Sequence, residues 1–238
     1  LCYALQLYFD FCGFSRMAVG IAAMMGIRLP HNFEFPYCSR SVREFWRRWH
    51  MTLSTWFREY VYIPLGGNRT GKSRQLLNIL VTMLLGGLWH GADWTFVFWG
   101  GINWLALCAE KLLPHKENDS AVLRCLRISA TFSFISFTWI FFRAGNFANA
   151  WAMLHGIATL QRGIVQPFFW SFVAILILLT STMAAIVKVR HTRAPSVDGY
   201  YPVLNLDRVA GLTVFFVFVG VILGLAFTGE NPFVYFQF

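Results

Sequence analysis

His90 is the residue whose setting most clearly suggests chemistry. It lies in the segment GGLWHGADW at positions 86–94, inside an otherwise apolar stretch. An ionisable side chain at membrane depth is costly unless it faces a cavity or a partner, so it is a functional candidate. Imidazole, with an unperturbed pKa of about 6.5, can accept a proton from a hydroxyl at neutral pH. The alternative is a buried histidine whose ring hydrogen-bonds a backbone carbonyl.

The neighbours of His90 suggest how its backbone is arranged. Glycines let another backbone segment or a substrate approach closely, and they favour a break in the helix. Inside a membrane, such a break is tolerated only where its backbone is buried in protein or lines a water-filled cavity. Asp93 could orient the His90 ring, or it could cap the helix that follows. The sequence leaves both roles open.

His50 belongs to a second, basic and aromatic segment. At about 100° per residue, five side chains share one helix edge: Arg43, Arg47, His50, Ser54 and Arg58. Guanidinium groups match phosphate geometry, so this edge could bind a phosphorylated donor. The alternative is a stripe that faces lipid headgroups, in which His50 is incidental.

The composition indicates the class of protein that must position these residues. The chain has 238 residues, of which 57% are hydrophobic, 18% aromatic and only 13% charged. A soluble domain carries about 25% charged residues, so a polytopic membrane protein is predicted. Ten of the 20 basic residues fall within positions 16–74, and the formal charge is +9. Such a block favours cytoplasmic loops or anionic headgroups over nucleic acid.

Five regions approach the length of a membrane span, about 20 mostly apolar residues. They lie at positions 1–27, 76–113, 122–142, 168–187 and 209–227. The second is too long for one span and is predicted to be a re-entrant or broken hairpin of two short helices. No strand-like alternation is sustained, and only helices or closed barrels satisfy backbone groups in lipid. The predicted fold is all-α.

The basic loop after the first region is predicted to be structured. Ser41 and Glu44 have the spacing of a capping box. Apolar residues then recur at helical spacing, at Val42, Phe45, Trp46, Trp49, Leu53, Trp56, Phe57 and Tyr60. This pattern predicts one amphipathic helix at the cytoplasmic membrane surface or in the mouth of a cavity there. The run at 66–73 lacks the spacing of a phosphate-binding loop and is predicted to be a turn.

Loop charges and the first residue give the expected organisation. Basic-rich and basic-poor loops alternate, and the positive-inside rule assigns the rich ones to the cytoplasm. Because Leu1 opens an apolar segment without an initiator methionine, we expect residues 1–238 to be a single membrane-embedded C-terminal region whose N-terminal helices are missing. The five cysteines are odd in number and show no CxxC spacing, so no structural metal site is expected.

Several long motifs resemble those of the membrane-bound O-acyltransferases. The runs FWRRWHMTLSTW at 45–56 and YIPLGGNR at 62–69 resemble the hallmark loop of the bacterial polysaccharide branch of that family. The run GLWHGA at 87–92 is similar to the segment that carries the family's essential histidine. YFDF at 8–11 and NPFVYFQF at 231–238 fit the same branch, so the resemblance extends over the whole chain.

The resemblance implies an O-acyltransferase that crosses the inner membrane several times. His90 maps to the catalytic histidine, the expected general base, and His50 to the second functional histidine. The donor would be acyl-CoA or a cytoplasmic acyl-carrier thioester, bound at a basic mouth by Arg43, Arg47 and Arg58. The acyl group would pass along a funnel to a hydroxyl of an extracellular polysaccharide such as alginate, directly or through a periplasmic or extracellular acetyl-relay protein.

The same resemblance sets the expected cofactors and partners. No metal and no bound cofactor are expected, because thioester chemistry needs only a positioned base and stabilisation of the oxyanion. Trp89, Arg58 or Asn103 could supply that stabilisation. Membrane lipids are expected partners, and nucleic acid is not.

Three alternatives remain. D-alanyl transfer onto teichoic acid is the nearest one within the family. A membrane transporter could use the broken hairpin as its substrate site and His90 as a proton relay. A haem-binding subunit could use His50 and His90 as axial ligands, although the two residues are expected at different depths.

Overall fold

The structure is a computed structural model that describes residues 2–69, 71–112 and 120–159. All of them belong to one compact unit of the chain. Within these ranges every regular element is a helix, as the sequence predicts for an all-α protein. The predicted spans at 168–187 and 209–227 lie outside the described residues.

Two described helices are long and apolar enough to cross a membrane. They are α1 (Cys2–Met24) and α6 (Ala121–Ala144), which match the predicted first and third regions. The hydroxyl of Ser120 caps α6 by accepting a hydrogen bond from the Leu123 N–H at 3.2 Å. Gly145 ends α6 with φ 67°, a left-handed conformation that glycine adopts without strain. A shorter helix, α7 (Phe147–Ala158), follows.

Residues 76–112 form a hairpin, as predicted for the region 76–113. Helix α4 (Lys72–His90) and helix α5 (Trp94–Leu112) pack against each other along their length. A Cβ added at Gly87 would overlap the backbone carbonyl of Phe96, and one at Gly100 would overlap that of Met83. The predicted break lies after His90, at residues 91–93, and Gly87 is inside α4. Here glycine allows close helix packing.

The predicted single amphipathic helix is broken at His50. Helix α2 (Val42–Arg48) and helix α3 (Met51–Phe57) are separated there, and a π-helical segment (Arg58–Tyr62) follows. His50 has φ 44° and ψ 55°, in the left-handed region. The cause is tertiary hydrogen bonding: the Met51 N–H donates to the Asn32 carbonyl at 2.9 Å, and the Arg48 carbonyl accepts from the Glu34 N–H at 3.0 Å. These bonds replace the helical ones.

The predicted start of α2 is confirmed, and a second cap comes from α5. The Ser41 hydroxyl accepts from the Glu44 N–H at 3.1 Å, and Glu44 reaches back to the Arg40 N–H at 2.7 Å. The Glu110 carboxylate accepts the N–H groups of Val42 and Arg43 at once. A carboxylate is favoured there because it satisfies free N–H groups at the positive end of a helix.

A cluster of buried aromatic rings joins α2 to α5 and α6. Trp49 lies 5.2 Å from Trp139, measured between ring centroids, and Trp99 stacks on Trp139 at 5.7 Å. Phe45 stacks on Trp49 at 5.4 Å, and Phe142 meets Trp139 edge-on at 5.1 Å. Such pairs add about 0.5–1.5 kcal/mol each beyond their buried area, so this cluster fixes α2 against the hairpin.

Candidate active site

A cavity of about 670 Å³ lies between the basic loop and the α4–α5 hairpin. Its wall on α4 is one helix face, formed by Gln75, Ile79, Thr82, Met83, Gly86 and His90. At 1.5 Å per residue the fifteen steps from Gln75 to His90 extend about 22 Å. The cavity is therefore elongated, with His90 at the hairpin turn and Gln75 at the opposite end.

Four cationic side chains line the same cavity: Arg43, Arg47, Arg58 and Lys111. None of the described residues that line it is Asp or Glu. Arg58 also contacts the exposed Glu59 at 3.2 Å. The Nζ of Lys111 makes no hydrogen bond to any part of the chain that the structure describes. The charge of this lining favours an anionic ligand.

A polar cluster lies at the Gln75 end of the cavity. The Tyr62 hydroxyl donates to the Asn68 side-chain oxygen at 2.6 Å, and the Gln75 amide donates to both residues. All three side chains line the cavity. They sit near the end of the π-helical segment that carries Arg58, so polar and basic groups occur together at this end.

His50 is held by a hydrogen-bond network around Asn32. The Asn32 side-chain oxygen lies 3.0 Å from His50 Nδ1, and it also accepts from the Thr52 N–H at 3.2 Å and the Thr52 hydroxyl at 3.0 Å. Because this oxygen acts as an acceptor, Nδ1 must carry the proton. Burial lowers the pKa of His50 to about 4, so the ring is neutral at pH 7.

His90 is surrounded by aromatic rings. Its ring centroid lies 4.9 Å from that of Phe142, 5.6 Å from Trp99 and 5.0 Å from Trp89. The Trp89 ring is also 6.2 Å from His50, so one indole contacts both histidines. The helix α4 and the α2–α3 junction thus bring the two histidines, 40 residues apart in sequence, to one cavity.

The sequence leaves two roles open for Asp93, orientation of the His90 ring and capping of the next helix, and the structure shows the cap. Its carboxylate accepts a hydrogen bond from the Thr95 N–H at 2.9 Å at the start of α5. Of the side chains suggested for oxyanion stabilisation, Arg58 lines the cavity, whereas Trp89 and Asn103 do not. The amide of Asn103 is fully buried and donates to the Trp99 carbonyl at 2.9 Å.

Every site residue predicted from the sequence lines the cavity, namely His50, His90, Arg43, Arg47 and Arg58. Their catalytic and donor-binding roles stay predictions. Sequence reasoning missed Lys111 and Asn32. Lys111 ends a long apolar helix, where a cation looks like an ordinary cap. Asn32 lies in an irregular segment with no motif of its own, so the sequence contains no signal for its contact with His50.

Within residues 2–69, 71–112 and 120–159, no group of three or more His, Cys, Asp or Glu side chains is arranged to hold a metal ion. The described lining suits an anionic organic ligand. The expectation that the protein needs no metal and no bound cofactor stays a prediction.

Comparison with known proteins connects this geometry to a family. Residues 1–142 match the family model of the membrane-bound O-acyltransferases. The whole chain is 35% identical to the probable alginate O-acetylase AlgI of Azotobacter vinelandii and 37% identical to that of Pseudomonas putida, covering 54% and 52% of those proteins. A peptidoglycan O-acetyltransferase of Helicobacter pylori is 43% identical over 68% of the chain and 31% of its own length.

The chain thus spans about half the length of these two alginate O-acetylases. The family model covers well over half of the chain and includes both histidines, the basic loop and the hairpin. The chain belongs to the membrane-bound O-acyltransferase family.

Proposed function

We propose that the full-length protein transfers an acyl group, most simply acetyl, from a cytoplasmic thioester to a hydroxyl on the far side of the inner membrane. The single observation that supports this most is the elongated cavity, which is cationic along its lining and holds His90 at one end and His50 along its wall. The alginate and peptidoglycan O-acetyltransferases among the relatives favour a polysaccharide as the final acceptor, reached directly or through a relay protein.

The donor is proposed to enter at the end lined by Arg43, Arg47 and Lys111. These three cations have no carboxylate partner among the described residues, so a phosphate of coenzyme A or of a carrier-bound pantetheine would neutralise them. Arg58, together with the polar cluster of Tyr62, Asn68 and Gln75, would contact the polar arm of the donor. The length of about 22 Å allows an extended thioester to reach His90.

The chemical step follows from a base placed beside the thioester carbon. The acceptor hydroxyl oxygen attacks the carbonyl carbon while the His90 imidazole takes the hydroxyl proton. Collapse of the tetrahedral intermediate breaks the C–S bond, and the thiolate leaves with the proton that His90 returns. The products are an ester and a free thiol, so no oxidant, reductant or metal is consumed.

The test is replacement of His90 with Ala in the full-length protein, followed by measurement of O-acetyl groups on cell-surface polysaccharide. We expect transfer to fall by about 10²–10⁴-fold, as for loss of a general base. His155→Ala, at an exposed position on α7 outside the cavity, is the matched control. Normal acetylation by a His90→Ala protein present at normal level would refute the assignment.

D-alanyl transfer is the second candidate. A teichoic acid D-alanyltransferase of Streptococcus thermophilus is 38% identical over 44% of the chain. The two activities are separated by supplying the full-length protein with either an acetyl or a D-alanyl thioester and identifying the ester formed.

A further inference from the structure

Of the two ring nitrogens of His50, only Nδ1 has a hydrogen-bond partner among the described residues. Its Nδ1 faces the Asn32 side-chain oxygen, which also accepts two hydrogen bonds from Thr52. The Asn32 amide donates to the Ser15 hydroxyl at 3.2 Å, which orients the amide so that its oxygen points to His50. The tautomer with the proton on Nδ1 is therefore the one that satisfies the network.

The other nitrogen of His50 opens on the cavity. Nε2 has no hydrogen-bond partner among the residues described, and it is not among the polar atoms sealed from solvent. His50 lines the cavity, whereas Asn32 does not. Since Nδ1 carries the proton, Nε2 presents a lone pair to whatever occupies the cavity.

The backbone at His50 supports the same arrangement. Its left-handed conformation costs energy for a non-glycine residue and persists only where the surroundings enforce it. Asn32 contributes twice, because its carbonyl accepts the Met51 N–H while its side chain holds the ring. Phe11 packs edge-on against the ring at 4.7 Å and prevents it from turning freely.

We propose that Asn32 is a positioning residue that holds His50 as the Nδ1–H tautomer, so that Nε2 accepts a hydrogen bond from an O–H or N–H group of the substrate. This inference rests on the proposed function for the identity of the substrate. The two histidines then have different roles. His50 orients an O–H or N–H group of the ligand by accepting its hydrogen bond, and His90 takes the proton from the acceptor hydroxyl. The sequence motif around His50 does not include Asn32, which lies 18 residues earlier in the chain.

The direct test is the tautomer itself. Full-length protein labelled with ¹⁵N-histidine is placed in lipid nanodiscs, and the His50 signals are identified by their loss in His50→Gln. We expect wild-type His50 to show a protonated Nδ1 and an unprotonated Nε2, and we expect Asn32→Ala to lose that single pattern. A wild-type Nε2–H tautomer, or a spectrum unchanged in Asn32→Ala, would overturn the proposal whether or not acyl transfer occurs.

Kinetics provide the second test. Asn32→Ala should lower kcat by about tenfold or more, because the group that orients the substrate is no longer held in place, with KM for the thioester little changed. The double variant with His50→Gln should be no slower than His50→Gln alone, because both changes remove one function. Additive losses would show that Asn32 acts only on stability. If wild-type protein transfers no acyl group, the proposed function fails while the spectroscopic result stands.

The conservative variant Asn32→Asp separates positioning from folding. A carboxylate still accepts from Nδ1 and Thr52, but it also raises the pKa of His50 by favouring the imidazolium. The groups that face this ring are Thr52, Phe11, Phe33, Trp89 and, across the cavity, His90, the one titratable residue among them. We expect Asn32→Asp to keep substantial activity at high pH. The acid limb of its pH–activity profile should move to higher pH than in the wild type. An unshifted profile would contradict the positioning role.

Discussion

The Glu110 carboxylate of α5 accepts the backbone N–H of Val42 at the first turn of α2, 68 residues earlier in the chain. A second oxygen of the same carboxylate accepts from the Arg43 N–H at 3.0 Å. This contact fixes the helix that carries Arg43 and Arg47 against the hairpin that carries Lys111. The basic end of the cavity thus depends on one acidic side chain that does not itself line the cavity.

Replacing Glu110 with Ala is expected to weaken the attachment of α2 to α5. Arg43 and Arg47 would then no longer be held at a fixed distance from Lys111. Loss of two charge-assisted hydrogen bonds should cost about 1.5–3 kcal/mol each at most, and KM for the thioester should rise more than kcat falls. Glu110→Gln keeps one acceptor and should be intermediate. The measurements are thermal unfolding and KM of the detergent-solubilised full-length protein. Equal KM values in all three proteins would show that α2 is held by its aromatic contacts alone.

Lys111 is expected to act on donor binding. In Lys111→Met the cavity loses a cation without a carboxylate partner, so KM for an anionic thioester should rise about tenfold, while kcat changes little. The effect should shrink as salt increases, since screening weakens the same attraction in the wild type. Arg124→Met, an exposed position on α6 outside the cavity, is the control. A loss confined to kcat would argue against a role in donor binding.

The hairpin should tolerate added volume at one glycine and not at another. Gly87→Ala forces a Cβ onto the Phe96 backbone, which cannot move aside, so we expect destabilisation by about 1–3 kcal/mol. Gly101→Ala meets nothing within 4 Å and should be neutral or stabilising by about 0.5–1 kcal/mol. Thermal unfolding of the two variants side by side checks this. Equal melting temperatures would show that α4 and α5 do not pack this closely.

Acid should affect stability through His50. Burial lowers its pKa to about 4, below the value of about 6.5 in the unfolded chain, so the unfolded state binds a proton first as the pH falls. Because of His50, the free energy of unfolding therefore falls progressively as the pH is lowered from about 6.5 to about 4. Above pH 6.5 the residue has no such effect. We expect His50→Gln to reduce the loss of melting temperature between pH 7 and pH 5. An identical pH dependence in both proteins would contradict burial of a neutral ring.

Local pattern predicted much of this architecture. The hairpin follows from an apolar stretch too long for one span, and the start of α2 follows from the spacing of Ser41 and Glu44. The break at His50 could not be predicted, because it depends on hydrogen bonds to residues 32–34 that compete with a continuous helical stripe. The predicted helix edge of Arg43, Arg47 and Arg58 is retained despite this break, since all three side chains line the same cavity.

Contacts between residues distant in sequence account for the features that the local pattern does not predict. Asn32 and Glu110 act through contacts across 18 and 68 residues, and neither belongs to a periodic pattern. Gly87 lies inside α4 although glycine has low helix propensity, because the close packing against Phe96 leaves no room for a Cβ. Tertiary context decides in each of these cases.

Photocrosslinking will show whether the acyl donor lies in the cavity between the basic end and His90. Full-length protein in nanodiscs is irradiated with a diazirine-bearing acyl coenzyme A, and the labelled residues on α4 are mapped by mass spectrometry. We predict labels at Ile79 and Met83, which line the cavity, and none at the exposed Leu77 and Leu85, with labelling suppressed by excess acetyl coenzyme A. Labels on Leu77 and Leu85 alone, or labelling that the competitor leaves unchanged, would show that the donor does not bind in this cavity.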